Sequence, residues 1–198
     1  LNEASEAFFD IDGHILCVEK RIDNLNKIFI KRDLEKNKFK FFYELINNLH
    51  NEIRTIRISL ENSSSYHLIN KKLNSKRRII SQSDVGFHNI FEIKDFKLQF
   101  YDFEYAGWDD PHKMIADLVL QPDKPVPIKF LRELKPLMSI YINSKVDFER
   151  FSLVIQIYRL KWLLIICNKL INEINSDDGI NKLKTKLEIY AFESISRI

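Results

Sequence analysis

The sequence has little glycine, little cysteine and few prolines. Its 198 residues include 4 Gly, 2 Cys and 5 Pro. The glycines stand at positions 13, 86, 107 and 179, too far apart to build a Gly-rich phosphate-binding loop. Two cysteines, Cys17 and Cys167, cannot make a disulfide framework. They indicate a reducing compartment, so we expect a cytoplasmic protein.

A long apolar run and an excess of one charge are also missing. The apolar run Trp162 to Cys167 is far shorter than the roughly 20 residues that cross a bilayer. With 31 basic and 28 acidic residues, the net charge of +3 is too balanced to indicate a nucleic-acid binder. We therefore expect neither a membrane nor a nucleic acid as partner. The hydrophobic content of 45% excludes wholesale disorder, and the length suits one domain over residues 1–198.

Most of the chain has helical periodicity. Apolar residues recur at spacings of three and four in two N-terminal segments, from Ile15 to Phe29 and from Phe42 to Ile56, which predicts two amphipathic helices. The polar, Ser-rich segment from Glu61 to Asn74 is predicted to be a loop. Further helices are predicted over Lys113 to Leu120, Ile128 to Ile142, Asp147 to Ile174, and after Gly179.

The middle of the chain has a different pattern. Two short β-prone runs, Asn89 to Ile93 and Leu98 to Phe103, flank a turn at Lys94 to Lys97. This arrangement predicts a β-hairpin. The expected fold is therefore α+β, mostly helical, with one central hairpin.

Polar residues lie at both ends of the predicted hairpin. Asp84 and Asn89 precede or open its first strand, and Asp102 and Glu104 end its second. A hairpin brings its two ends side by side, so we expect these side chains to converge at one edge. Oxygen ligands of this kind suit Mg²⁺, which takes few carboxylates together with phosphate and water oxygens. Phosphoryl transfer uses such a set.

These motifs resemble the aminoglycoside phosphotransferase and choline kinase family, a branch of the kinase-like fold. Asp84 and Asn89 match the family's Asp and Asn with four residues between, and Asp102 with Glu104 matches the Asp after the hairpin. The segment Gly107 to Pro111 is similar to its Gly-Asp-Pro element. The resemblance spans roughly Ile79 to Pro122. It implies that Asp84 is the catalytic base and that Asn89, Asp102 and Glu104 bind Mg²⁺.

The sequence departs from this family in two places. Gln82 stands where the family usually has a loop-supporting His, two residues before the catalytic Asp. A kinase also needs a nucleotide-clamping lobe with a Gly-rich loop and a strand Lys, and this chain has no such loop. Because the chain also opens on Leu1 rather than Met, we expect the chain to be the C-terminal lobe, with the N-terminal lobe lying outside it. The surface that meets that lobe should be apolar.

The resemblance implies ATP-dependent phosphorylation of a small-molecule hydroxyl, with ATP and Mg²⁺ as cofactors. The acceptor could be a sugar, an amino alcohol or an aminoglycoside, and Trp108, Asp109 and Asp110 are predicted to border its pocket. A non-catalytic kinase-like binding module is the alternative, favoured by Gln82 and the missing lobe. A protein kinase is disfavoured, because a helix follows Pro111 at once and leaves no activation segment.

Overall fold

The computed structural model describes residues 1–31, 39–171 and 177–198. In chain order, three helices precede four short strands, and four further helices follow them. The helices are α1 (Ile11–Lys31), α2 (Lys40–Glu61), α3 (Tyr66–Ile69), α4 (Pro111–Leu120), α5 (Ile128–Met138), α6 (Lys145–Ile171) and α7 (Asp177–Ile195). The strands are β1 (Ile79–Ser81), β2 (Ile90–Ile93), β3 (Lys97–Phe100) and β4 (Gly107–Asp109). The mixed, mostly helical α+β class is confirmed.

The predicted hairpin is formed by β2 and β3. They pair antiparallel, with Ile90 opposite Phe100 and Ile93 opposite Lys97. The second strand ends at Phe100 and does not continue to Phe103 as predicted. The reason is local, because Asp102 has a φ of 63° and so cannot continue an extended run.

A second small sheet was not predicted. Strand β1 pairs antiparallel with β4, and Ser81 lies opposite Gly107. This sheet pairs the strand that precedes the hairpin with the strand that follows the hairpin. Gly107 is required here by close packing, because a Cβ at this position would lie 2.5 Å from the Asn2 carbonyl oxygen. A short N-terminal segment therefore passes directly over β4, and the amide N–H of Ala4 donates to the Trp108 carbonyl oxygen at 2.9 Å.

Helix α6 is the centre of the core. It is apolar on all sides, as expected of a helix surrounded by others, and it packs against α1, α4 and α7. The stretch Lys145–Asn168 contains an 18-residue window with a mean hydropathy of 1.4, so it is long and apolar enough to cross a membrane, but 67% of that window is buried inside the protein. Among the described residues it is the one stretch with this composition, and its burial is that of a core helix. The predicted extension to Ile174 falls partly outside the described residues.

Several predicted helix boundaries differ from the structure. Helix α4 begins at Pro111, two residues before the prediction, because Asp110 caps it and proline suits the first helical position. Helix α5 ends at Met138 rather than Ile142, and α7 begins before Gly179. The predicted loop from Glu61 to Asn74 contains the one-turn helix α3.

A buried ion pair joins the ends of three helices. The Asp110 carboxylate, which caps α4, accepts a hydrogen bond from the Arg150 guanidinium of α6 at 2.6 Å. It also lies 3.4 Å from His14 Nε2 on α1. Burial by itself would raise the pKa of Asp110, but hydrogen bonds from His112 and His14 and the charge of Arg150 hold that pKa well below its ordinary value. The carboxylate is therefore ionised in the folded protein.

We expect Arg150→Met to lower the free energy of unfolding by about 3–5 kcal/mol, because it leaves a buried carboxylate without its partner. Arg150 also donates to the carbonyl oxygens of Ile69 and Phe9, each at 3.0 Å, and these would lose a donor. The matched control is Lys145→Met on the same helix, whose exposed pair with Glu149 should contribute less than about 1 kcal/mol. Urea unfolding measures both variants, and equal losses would contradict the prediction.

His14 should make the fold sensitive to acid. Burial lowers the pKa of His14 from 6.5 and outweighs the opposing effect of the hydrogen bond that His14 donates to Asp110. The folded protein then keeps His14 neutral while the unfolded chain takes up a proton, so the free energy of unfolding should fall as pH drops below about 6.5. We expect His14→Gln to reduce this slope by up to about one proton. Urea unfolding at a series of pH values tests this prediction, with His67→Gln, at an exposed position, as the control.

Candidate functional site

The candidate site begins in the loop between β1 and β2. Ser83 has a φ of 70°, a conformation uncommon for serine. Its hydroxyl donates to the Ser5 carbonyl oxygen at 2.8 Å and accepts from the Lys113 ammonium at 3.2 Å. These contacts hold a strained turn immediately before Asp84. Strain of this kind persists only where the surroundings determine it, and it is common at functional sites.

Asp84 and Asn89 are connected through the backbone of their loop. The side-chain amide of Asn89 donates to the Asp84 carbonyl oxygen at 3.0 Å, and Asn89 is buried. Because the nitrogen end of this amide faces the loop backbone, its Oδ1 is the end left for another ligand. The Asp84 carboxylate itself is 44% exposed. No Lys or Arg of the described ranges forms an ion pair with it.

His88 orients the Asp84 carboxylate. The backbone N–H of Lys124 donates to Gln121 Oε1 at 2.6 Å, which fixes the orientation of that side-chain amide. Gln121 Nε2 must then donate to His88 Nδ1, 2.8 Å away. The imidazole proton is therefore on Nε2, which lies 3.4 Å from Asp84 Oδ2. Gly86 leaves room for this arrangement, since a Cβ there would lie 2.7 Å from His88 Nδ1.

The segment that carries Asp102 is fastened to the same loop. The Tyr101 N–H donates to the Asn89 carbonyl oxygen at 3.2 Å, and the Tyr101 hydroxyl donates to the His88 carbonyl oxygen. From the other side, Gln82 Nε2 donates to the carbonyl oxygens of Tyr101 and Asp102. We refer to these four contacts as the loop clasp. Gln82 thus supports the loop that carries Asp84.

The charges of three carboxylates act on the Tyr105 hydroxyl. The pKa of Tyr105 is raised first by a hydrogen bond with Glu104, then by the charge of Glu104, by burial, and further by the charges of Asp102 and Asp84. Asp102 and Glu104 are themselves exposed.

The predicted Mg²⁺ site requires side chains that can act as metal ligands. Within the described part of the chain, no group of three His, Cys, Asp or Glu side chains could hold a metal ion. Asn89 and Asp102 instead offer one amide oxygen and one carboxylate. Mg²⁺ commonly takes one or two protein carboxylates and completes its shell with water and phosphate oxygens. The chemistry of the pair fits Mg²⁺ bound together with a phosphate group.

The other predicted acceptor residues lie elsewhere. Asp109 and Asp110 are fully buried, and each accepts a close hydrogen bond from a basic side chain: Lys113 on Asp109 at 2.7 Å, and Arg150 on Asp110. Trp108 lies in β4, opposite Ile80. None of the three lines the cavity next to Asp84. Their predicted contact with an acceptor stays a prediction.

A cavity of about 380 Å³ opens beside Asp84, and we refer to it as the Asp84 cavity. Its wall combines three acids, three bases, two hydroxyls, two aromatic rings and one aliphatic side chain. The lining residues are Ser5, Glu6, Arg21, Ser83, Asp84, Tyr105, Lys113, Asp117, Lys161, Trp162 and Ile165. A small acceptor in this space would have its hydroxyl within reach of the Asp84 carboxylate.

Most of the charged residues that line the Asp84 cavity were not predicted from the sequence. Lys113 and Asp117 stand four residues apart on an otherwise apolar helix, and Asp109 stands four residues before Lys113. Lys161 likewise interrupts a long apolar run. Charges on a buried helix face must be paired, so this spacing could have indicated a buried polar network. No comparable spacing in the sequence indicated that Glu6 and Arg21 line the cavity.

No protein-family model matches the chain, and no curated protein matches it either. What the site can do is therefore derived from its own side chains. A partly exposed carboxylate that is held by a neutral imidazole can accept a proton from a hydroxyl group.

We expect His88 to carry its proton on Nε2 at neutral pH, because Gln121 occupies Nδ1 as a donor. A long-range ¹H–¹⁵N correlation spectrum of the imidazole distinguishes the two tautomers. Gln121→Met removes the donor and should shift the population toward the other tautomer. The control is Gln156→Met, which removes an amide from α6 far along the chain. A proton found on Nδ1 in the unmodified protein would contradict the hydrogen-bond assignment.

Proposed function

We propose that this chain is the catalytic lobe of a kinase-like phosphotransferase, which transfers the γ-phosphoryl group of ATP to a hydroxyl of a small molecule. The loop clasp is the observation that carries the proposal. It joins the loop of Asp84 and Asn89 to the segment of Asp102, and phosphoryl transfer needs a base and metal ligands from two such segments. The mixed, mostly helical fold with its hairpin supports a place in the aminoglycoside phosphotransferase and choline kinase family.

Asp84 has the role of the base. Its carboxylate accepts the proton of the acceptor hydroxyl as that oxygen bonds to the γ-phosphorus and the bond to the leaving ADP oxygen breaks. His88 holds the carboxylate in place, so that one oxygen stays oriented while the other remains available. Positioning is the main contribution of a protein to this reaction, because the chemistry is carried by the phosphate itself.

Asn89 and Asp102 would hold Mg²⁺ against the phosphates. When bound, the ion supplies charge neutralisation at the nucleotide. Glu104 is a weaker candidate for this role, since its hydrogen bond with Tyr105 already engages the carboxylate.

An apolar hairpin surface supports the proposal of a separate nucleotide-clamping lobe. The side chains of Phe91, Ile93, Leu98 and Phe100 are all exposed, between 44% and 56%. Phe103 is also exposed, immediately before the segment of Glu104 and Tyr105. Phe91 and Ile93 lie on one face of the hairpin, and Leu98 and Phe100 lie on the other, because directly opposed residues share a face. Exposed apolar side chains grouped in this way on a soluble domain commonly mark an interaction site. A lobe docked on this surface would lie beside Asp102 and could cover the phosphates.

The proposed cytoplasmic location is supported by the cysteines. Cys17 and Cys167 are both buried and unpaired. Burial raises the pKa of Cys167 to about 12, so its thiol is unreactive.

A non-catalytic binding module is the second candidate. The observation that favours it is that the described acids form no cluster able to hold a metal without a phosphate. In such a module, the loop clasp would stabilise the shape of the lobe, and the lobe would only bind a partner. Phosphate transfer by the full-length gene product separates the two candidates.

We expect Asp84→Asn in the full-length protein to lower turnover by about 10²- to 10⁴-fold, the usual contribution of a positioned general base. Nucleotide affinity should change little, because Asp84 faces the acceptor. Asp102→Ala should instead weaken Mg²⁺-dependent binding of ATP, measured by calorimetric titration. Asp95→Asn, at the exposed tip of the hairpin, is the matched control. Unchanged turnover in Asp84→Asn would show that the base is assigned wrongly.

The isolated 198-residue chain should fold but transfer no phosphate. It holds metal ligands on one side of the phosphates only, so the γ-phosphoryl group is neither shielded from water nor aligned. Calorimetric titration with ATP and Mg²⁺, beside a chain extended at its N-terminus, is the measurement. Tight binding together with transfer by the short chain would overturn the proposal of a separate lobe.

A further inference from the structure

We propose that one face of α7 is a dimerisation surface, on which a second copy of this chain packs its own α7 in antiparallel orientation. We refer to the side of α7 that carries Lys182, Lys186, Ile189, Phe192 and Glu193 as its outer face. The inference is carried by exposed apolar side chains on this face and by charges of opposite sign toward its two ends. It does not depend on the proposed phosphotransferase function.

The opposite side of α7 is fixed against the core. Leu183, Leu187 and Tyr190 are buried, at spacings of four and three residues, which makes one apolar stripe along the helix. The Tyr190 hydroxyl also donates to the Leu120 carbonyl oxygen at 2.8 Å. Because an α-helix has about 3.6 residues per turn, the residues about half a turn from this stripe point away from the core. The orientation of the outer face toward solvent therefore follows from the packing of the inner one.

Large apolar side chains lie on the outer face and continue past it. Ile189 is 52% exposed, and Phe192, one turn further along the helix, is 81% exposed. Ile195 follows after three more residues and is also exposed. A single exposed apolar side chain is normal on a protein surface, whereas a row of them along one helix commonly marks a protein interface.

The charges of the outer face change sign at Ile189. Lys182 and Lys186 precede this residue, Glu193 follows it, and all three charged side chains are exposed. Lys182 already has a partner on its own helix, since its ammonium lies 2.7 Å from Asp178. Lys186 and Glu193 form no ion pair with any residue of the described ranges. One free cation and one free anion therefore lie on either side of an apolar centre.

A second α7 in antiparallel orientation provides a partner for both charges. Lys186 lies three residues before Ile189, and Glu193 lies four residues after it. When the two Ile189 side chains face each other across a two-fold axis, each Lys186 meets the Glu193 of the other copy, with an offset of about 1.5 Å along the helix axis. A parallel pair would instead bring like charges together. The pattern is thus complementary to itself, which selects a second copy of this chain as the occupant.

A groove beside the outer face adds apolar surface to the interface. It has a volume of about 510 Å³, and Pro122, Ile166 and Tyr190 line it together with Lys186 and Glu193. A lysine can pack its methylene stem on apolar surface while its ammonium stays at the edge. Lys186 of the second copy can therefore bury its stem in this groove and place its charge at Glu193.

The test is sedimentation equilibrium of the 198-residue chain, which reports its mass in solution. We expect a reversible dimer at roughly 100 μM, a concentration that populates a complex with a micromolar dissociation constant. Ile189→Asp should return the chain to a monomer, because it places two carboxylates against each other at the two-fold axis. The side chain is exposed, so the fold should be retained, and far-UV circular dichroism checks this. A parental chain that is monomeric at this concentration would overturn the inference.

A charge swap tests the antiparallel orientation. Lys186→Glu and Glu193→Lys should each weaken dimerisation by at least about tenfold, because each replaces two ion pairs by two like-charge contacts. The double variant reverses both pairs and should restore the parental dissociation constant. Lys184→Glu, outside the outer face, is the matched control and should leave that constant unchanged. Single variants without effect, or a double variant that is as weak as the single ones, would contradict the proposed pairing.

A variant of the hairpin distinguishes the other route to a dimer. Leu98→Lys places a charge on the exposed apolar surface of β3. A dimer formed through α7 should be insensitive to this substitution. If Leu98→Lys abolishes the dimer and Ile189→Asp does not, self-association belongs to the hairpin and the inference about α7 is wrong.

Discussion

The buried pair of Asp110 and Arg150 is the constraint on which the rest of the structure depends. Asp110 directly follows β4 and caps α4, so one carboxylate determines where the helix starts. Arg150 extends the same contact to the carbonyl oxygens of Phe9 and Ile69, which belong to segments far apart in the chain. An unpaired charge here would be costly, and the pairing therefore selects one relative placement of α1, α4 and α6.

Helix α4 connects this ion pair to the candidate functional site. Its position sets that of Lys113, which contacts the strained Ser83 on one side and Asp109 on the other. The turn before Asp84 thus depends on a helix that follows it by more than twenty residues. The wall of the Asp84 cavity depends on the same helix through Asp117.

Local patterns predicted the elements with regular periodicity and the residues with regular spacing. The hairpin and the long helices follow from the spacing of apolar residues. The choice of Asp84 and Asn89 follows from the fixed interval between them, and the hydrogen bond from the Asn89 side-chain amide to the Asp84 carbonyl oxygen explains that interval. The sheet of β1 and β4 was not predicted, because three-residue strands have too little periodicity. The end of β3 was predicted wrongly, because the amino-acid sequence does not indicate the positive φ at Asp102. Glu6 and Arg21 reach the cavity only through tertiary packing, which spacing along the chain does not report.

The hairpin of β2 and β3 has one further consequence. Neither strand has a second neighbour in the described sheets, so each leaves a row of backbone N–H and C=O groups open at an edge. The exposed Phe91, Leu98 and Phe100 make these edges apolar as well as unpaired. Such strands readily join the edges of other copies, and Lys94 and Lys97 are the charges that oppose this assembly. If it is left uncovered, the hairpin is thus prone to aggregate. A second lobe docked on the hairpin would also protect the solubility of the protein.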